Sequence, residues 1–550
     1  MDNLNSINIA SYLRKAALET PHSLAVVAPY RIDEMGRTAY THLTASQLDD
    51  ESDYIANGLE SVGITRNVKT ALLVKPSPVF FALVFALFKV GAVPVIVDPG
   101  IGTRSMGKCL AEVQPEAFIG IPQAHVARIL LGWGGKSVKH KVTVGKRWFW
   151  GGHTLSELRK IGSQTEGYDM FEPSEDDIAA ILFTSGSTGV PKGAVYTHSI
   201  FVHEVEYLKS IYHIQPGEMD LSTFPLFALF GPALGMTSIL PDMDPTKPAS
   251  ADPAKLVSAI EDFGATNMFA SPAIVNLLGR YAESENIMFP SIRRVISAGA
   301  PARPDYLERL QNALQEGVDI YTPYGATEAL PVCNIGSREI LESARFQTEK
   351  GMGTCIGFAN EGIDMRVIRI SDDAIEKWSD DLVLPDGEIG EFAVSGPIVT
   401  REYYNRKEST RLAKIYDGRK IWHRMGDVGY KDKSGKFWFC GRKSHRVRAK
   451  GGDMFTICCE GVFNAHPDVF RTALVGVPDG DFEKPVICVE LEKDVERPQG
   501  EIIDELREIA GRFEHTKSID KFLVHPSFPV DIRHNAKIFR EKLALWAVKN

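Results

Sequence analysis

The sequence has no apolar run long enough to cross a bilayer, no Cys-x-x-Cys pair, no Gly-x-Ser-x-Gly elbow and no low-complexity tract. Each absence removes a class. The most membrane-like stretch, 79–97, is divided by Lys89 and interrupted by Pro94, and its longest unbroken apolar run is 79–88, too short for a span. It reads as a buried helix followed by a buried strand. The seven cysteines (109, 333, 355, 440, 458, 459 and 488) are odd in number and scattered, which excludes a disulfide framework and a zinc knuckle and points to a reducing compartment. Without the elbow a serine hydrolase is a poor reading. The formal charge of −9 builds no field for a polyanion, so no nucleic-acid partner is expected. The first residues, MDNLNSINIASYLRKAALE, are polar where a secretory signal needs an apolar core. A cytoplasmic protein without a transmembrane segment is expected. Contact with the membrane periphery would lack a strongly basic amphipathic helix to support it.

What is present is ordinary globular composition, 44% hydrophobic and 24% charged over 550 residues, enough for roughly three to four structural units. Strand-length apolar runs at 71–74, 93–97, 178–183 and 295–296 alternate with helical patterns, the appearance of layered α/β architecture. The pattern changes after about Gly441. A basic, turn-rich stretch, GRKSHRVRAKGG, precedes strand-like runs at 472–477 and 486–491, a helix with Ile502, Leu506, Ile509 and Phe513 on one face, and a last run at 522–524. The reading is a large domain over 1–441 and a small one over 442–550, joined by a short linker.

The segment that carries chemistry is IAAILFTSGSTGVPKGAVYTH, 178–198. A buried strand ends at Phe183, and Thr184, Ser185, Gly186, Ser187, Thr188 and Gly189 then put four hydroxyls and two glycines into six residues. Glycines permit close backbone approach, hydroxyls and amides donate, and Lys192 adds a point charge just past Pro191, which together suit a polyphosphate. It is not a Walker loop, because Lys192 is followed by Gly193 and a strand-like Ala-Val-Tyr instead of opening a helix.

TSGSTGxPKG is the phosphate-loop signature of the adenylate-forming superfamily of acyl-CoA synthetases, peptide-synthetase adenylation domains and luciferases. LFKVGAVPVIVDPG, SAGAP, YGATE, MGDVGY, GRKSHRV and a lysine in HNAKIFREKL follow in that family's order across nearly the whole chain. The resemblance implies a large layered α/β adenylate-forming domain with a small mobile α+β lid, and ATP and Mg²⁺ as cofactors. It further implies that Tyr324, with Gly325 and Ala326, meets the adenine, along which Gly299, Ala300 and Pro301 also lie. Thr327 resembles the α-phosphate contact and Glu328 the Mg²⁺ carboxylate, an oxygen ligand for a hard ion. Asp427 resembles the residue that takes the ribose hydroxyls, and Arg442 the linker residue that also reaches the ribose. Lys537 resembles the lysine that neutralises charge as the substrate carboxylate attacks the α-phosphorus. Thr184, Lys192, Glu328 and Lys537 form the implied catalytic set.

Around 224–236 the sequence FPLFALFGPALGM has Ala228 where many CoA ligases have histidine, and no aspartate for an α-ammonium group, so an amino-acid substrate is not expected. Phe224, Phe227, Ala228, Phe230, Gly231 and Gly235 suggest an apolar acyl pocket, with plain core as the competing reading. Ser444 and His445 replace the usual acidic hinge, Met425 the usual threonine, and Ala536 the glycine before the lysine. Together with HRMGDVGY and DIRHNAKIFREKLALWA, these features are similar to the β-lactone synthetases of bacterial long-chain olefin biosynthesis. That resemblance implies a long-chain 2-alkyl-3-hydroxy acid substrate whose own β-hydroxyl displaces AMP. It also implies assembly with a hydrolase-fold β-lactone decarboxylase and an NADPH reductase. His198 and His445 are candidates for activating that hydroxyl. The alternatives are a medium- or long-chain acyl-CoA synthetase and a non-catalytic acyl- or nucleotide-binding protein.

Overall fold

A computed structural model describes residues 6–183, 191–493, 495–530 and 538–550. Among them, two seven-stranded sheets, an eight-stranded sheet, a three-stranded sheet and a two-stranded ribbon carry the chain. The α/β reading holds. In the first seven-stranded sheet the strands Ile320–Tyr321, Arg294–Ser297, Asn267–Ala270, Met219–Ser222, Thr237–Ile239 and Leu24–Ile32 run parallel, with Thr38–Thr44 antiparallel at the edge. In the second, His153–Thr154, His140–Thr143, Ala117–Gly120, Lys69–Leu73, Val93–Val97 and Ile178–Phe183 run parallel, and Gly193–Thr197 returns antiparallel. That return pairs Gly193 with Phe183 at the carboxyl end of the parallel strands, where α/β folds place their ligands.

The apolar run at 79–88 is a helix, Pro78–Lys89, and 93–97 is a strand, as the sequence suggests. Ser77 caps the helix through the Phe80 amide, Pro78 stands where no amide hydrogen is needed, and every residue from Phe80 to Lys89 is buried. One core cluster joins this helix to side chains of both seven-stranded sheets, including Val26 and Ala28 on one and Ala117 and Ile119 on the other. Lys89 is fully buried and lies 2.6 Å from Asp49 and 2.5 Å from Asp53, which Arg14 also holds. A charge in the middle of a greasy span is thus a paired core residue, not a surface one.

Beyond residue 446 a separate core forms. Val469–Asp479 and Phe482–Leu491 make an antiparallel hairpin, the helix Gln499–Gly511 crosses it, and Lys521–Val524 pairs parallel with the second hairpin strand. Ile502 and Leu506 are fully buried against Phe463, Leu474 and Ile487, with Ile509 and Phe513 packed alongside, the face anticipated from their spacing.

Candidate active site

Thr327 and Glu328 form the two-residue tip of a hairpin, because Tyr324–Ala326 pairs antiparallel with Ala329–Asn334 in a register that sets Ala326 opposite Ala329. Gly325 is required there, since a Cβ would lie 2.6 Å from the Ala329 carbonyl oxygen. Glu328 is buried, and its Oε1 accepts a 2.6 Å hydrogen bond from the Tyr403 hydroxyl. Its backbone carbonyl accepts from the amide and hydroxyl of Thr400. The segment 402–404 is itself stitched to the strand Gly193–Thr197, through the Val195 amide to the Glu402 carbonyl and the Tyr404 amide to the Gly193 carbonyl. Lys192, one residue before that strand, puts its ammonium 4.9 Å from the centre of the Tyr403 ring. Burial lowers the Lys192 pKa and the nearby Glu328 carboxylate works against it. Lys192 and Glu328, 136 positions apart by number, share one site.

Asp427 and Arg442 face each other across adjacent strands, Lys420–Lys431 and Phe437–Arg442. Arg442 Nε lies 3.0 Å from Asp427 Oδ1, and the Tyr324 hydroxyl donates to Oδ2 at 2.7 Å. Burial nevertheless raises the Asp427 pKa, with Arg442 and Tyr324 pulling it down. The Tyr324 ring meets Phe392 edge-on. Gly299, Ala300 and Pro301 follow the strand Arg294–Ser297 at the carboxyl edge of the first sheet. The loop residues Thr184, Ser185, Gly186, Ser187, Thr188 and Gly189, and Lys537, lie outside the described residues.

The apolar region divides. Phe227 stacks on Phe269 with ring centres 3.6 Å apart, and Phe227 and Phe230 both line a pocket with Leu208, Ile296 and Leu330. Phe224 is 38% exposed and outside that lining. Ala228 is fully buried, its carbonyl bonded by the Ser238 hydroxyl, against which Gly231 packs. Gly235 turns the chain with φ +77° beside Pro216. These three shape the wall's support instead of its surface.

His198 does not join the site. It stands past the far end of the strand that begins next to Lys192, fully buried, its Nδ1 accepting from the Ile9 amide and its ring against Phe88. His445 closes the short helical turn Lys443–His445 after the strand Phe437–Arg442, with its pKa pushed down to about 4 by burial and by Arg540 and Arg442, so it is a weak base.

Sequence reasoning missed Tyr403, Thr400 and Lys414. Lys414, in an unremarkable KIYDG, is 1% exposed, bonds the Thr400 carbonyl and hydroxyl, and makes no ion pair among the described residues. Burial pushes its pKa down to about 7, with Glu328 opposing. Between that value and the ordinary value of 10.5, the unfolded chain holds a proton that the folded one has released, so stability rises with pH across the window; below it the full cost of burial persists. Lys414→Met is expected to raise the urea midpoint at pH 7, by a stability gain on the order of 1 kcal/mol or more, and to flatten the rise between pH 7 and 9. Urea titrations at the two pH values check both.

A family profile described as "AMP-binding enzyme" matches residues 13–404. The chain belongs to the AMP-binding enzyme family. It is 49% identical over 549 residues to an olefin beta-lactone synthetase of Xanthomonas campestris pv. campestris, with 98% of each chain covered. It is 48% identical over 548 residues to another from Stenotrophomonas maltophilia, again covering 98% of both. Among solved structures, the amide bond synthetase McbA from Marinactinospora thermotolerans is similar with a TM-score of 0.79 at 22% identity, covering 98% of this chain and 99% of that one. ATP-bound MatB from Rhodopseudomonas palustris is similar at 0.77 and 20% identity, covering 99% of each chain. These two show the fold of the family member. No helix among the described residues is long and apolar enough to cross a membrane.

Proposed function

We propose that this AMP-binding enzyme is an AMP-forming β-lactone synthetase that acts on long-chain 2-alkyl-3-hydroxy acids. The observation that carries this reading is the likeness to two olefin beta-lactone synthetases over 98% of the chain, which takes in the linker and the last block as well as the nucleotide motifs.

The substrate carboxylate attacks the α-phosphorus of ATP and pyrophosphate leaves. Residues 184–189 and Lys192 cradle the phosphates, Thr327 meets the α-phosphate, and Asp427 with Arg442 takes the ribose. Tyr324, Gly325, Ala326, Gly299, Ala300 and Pro301 bound the base. Glu328 fits Mg²⁺: one carboxylate oxygen takes the Tyr403 hydrogen bond, and no hydrogen bond occupies the other among the described residues. When bound, the ion neutralises phosphate charge. Lys537, carried by the lid of residues 442–550, supplies positive charge to the first step. The β-hydroxyl oxygen then bonds to the carboxyl carbon, the bond from that carbon to AMP breaks, and the hydroxyl proton passes to the phosphate of the departing AMP. An oriented nucleophile in the same molecule has a large effective molarity, which is how a strained ring can close without a thiol acceptor. In the reading that the resemblance implies, a ketone-reducing enzyme supplies the hydroxy acid and a lactone decarboxylase consumes the product.

Incubation with a 3-hydroxy acid and MgATP, with and without CoA, tests the reading. Pyrophosphate, AMP and a strained-lactone carbonyl without CoA are expected. A thioester that forms only when CoA is added, or release of ADP, overturns it.

A further inference from the structure

Glu204 is a buried carboxyl that the nucleotide chemistry does not use. Glu204 lies on the helix His198–Tyr212 among the buried residues Ile200, Phe201, Val205 and Leu208, at a position where the helical period calls for an apolar side chain. It is 5% exposed. Among the residues lining the pocket described above it is the one carboxyl, set beside Phe227, Phe230 and Phe269. The other polar side chain of that lining, Tyr212, is engaged, its hydroxyl directed at Asn334 Oδ1.

The contacts of Glu204 define its state. The Tyr196 hydroxyl lies 2.5 Å from the Thr327 carbonyl oxygen and 3.3 Å from Glu204 Oε1. A phenol has one proton to donate, and the shorter contact takes it. The longer contact leaves Glu204 Oε1 weakly held, so little offsets the burial of this carboxyl. Burial, the first cause, raises the Glu204 pKa well above the carboxylate range, in agreement with a neutral acid. Its Oε2 has no hydrogen-bond partner among the described residues. Glu204 lines the pocket, so this acceptor is available to a ligand hydroxyl. Tyr196 fixes where such a hydroxyl would sit: one side chain removed from Thr327, the residue assigned above to the α-phosphate.

We propose that Glu204 binds the β-hydroxyl of the substrate and holds its oxygen over the activated carboxyl carbon, selecting 3-hydroxy acids in doing so. The proposal rests on the β-lactone synthetase reading above and names the subsite that reading leaves open. An acid that enters the pocket carries its hydroxyl on the second carbon from the carboxyl, so with the carboxyl at Thr327 the hydroxyl falls beside Glu204 and the chains lie along the phenylalanines. A neutral carboxyl there accepts the hydroxyl hydrogen without repelling the substrate's own negative charge. A site built around such a bond rejects the analogue that lacks it, because the protein group is left unpaired.

The test uses three acids of equal chain length, 3-hydroxy, 3-deoxy and 3-methoxy, with MgATP. Pyrophosphate release and lactone are measured for the wild type, Glu204→Gln and Glu204→Met. The wild type is expected to adenylate the hydroxy acid with a KM lower by ~10-fold or more than either analogue. Glu204→Met should erase that preference while still adenylating the deoxy acid, and should yield less lactone per adenylate; Glu204→Gln, which keeps an acceptor, should restore most of both. A wild type indifferent to the hydroxyl overturns the proposal whether or not the methionine variant folds. A folded Glu204→Met that keeps the preference, or loss on all three acids alike in both variants, overturns it as well. Thioester in place of lactone from the wild type removes the reading of the enzyme itself, whereas lactone formed without any preference removes only the role of Glu204.

Discussion

Glu328→Gln is expected to cut pyrophosphate release by roughly 10²–10³-fold, the range for removing one group aimed at transition-state charge, with a steeper loss at limiting Mg²⁺. The substitution isolates charge from shape. Glutamine retains a carbonyl oxygen for the Tyr403 hydroxyl, and the backbone bonds from Thr400 to residue 328 do not involve the side chain, so the hairpin tip should stay in place. What disappears is the negative oxygen pair. Lys192 is affected as well, because Glu328 is the charge that opposes burial in setting its pKa; without it the ammonium becomes easier to deprotonate. The variant should therefore lose activity at high pH sooner than the wild type. Near-normal turnover at low metal would refute the assignment. Intact thermal unfolding with lost turnover would support it.

Lys537→Ala should be of the same order, roughly 10²–10³-fold, and confined to one half-reaction. ATP binding should persist, because Tyr324 and Arg442 hold Asp427 through their own contacts. Adenylate formation should be lost, since the lysine is assigned to charge that develops only as the α-phosphorus is attacked. A chemically prepared acyl-adenylate should still be cyclised by the variant, as ring closure uses a nucleophile already in the substrate. Unchanged pyrophosphate release, or loss of ATP binding in proportion to activity, would remove the lysine from the first step.

The sequence made the layers legible wherever burial was continuous. The helix Pro78–Lys89, the strands Val93–Val97 and Ile178–Phe183, and the helix face of Ile502 and Leu506 were read from the length of apolar runs, the breaks that bound them and the helical spacing. The nucleotide residues were assigned from motif order, and of these the structure brings Lys192 towards Glu328 and Tyr324 and Arg442 onto Asp427. The supporting shell was not. Tyr403 reaches Glu328 across 75 positions and Tyr196 reaches Thr327 across 131, so no local pattern announces either. Lys414 and Glu204 were unreadable for the opposite reason: charged side chains in alternating segments look solvated, and only the tertiary fold shows that both are inside. His198 was misplaced by proximity in sequence to the phosphate loop, a strand's length of which separates it from Lys192.

Arg446 bridges the two parts of the chain. Its guanidinium holds Asp372 at 2.6 Å on one side and Asp453 at 3.0 Å on the other, while the preceding residue pair, Arg442 and Lys443, is moored to Asp427 and Glu391. Pivoting between residues 443 and 446 therefore cannot spare both of its partners. The posture seen here is clasped, and the clasp is ionic, with both carboxylates partly in water. Added electrolyte should loosen it, so the hold of Arg446 on Asp372 and Asp453 is weaker in brine than in dilute buffer.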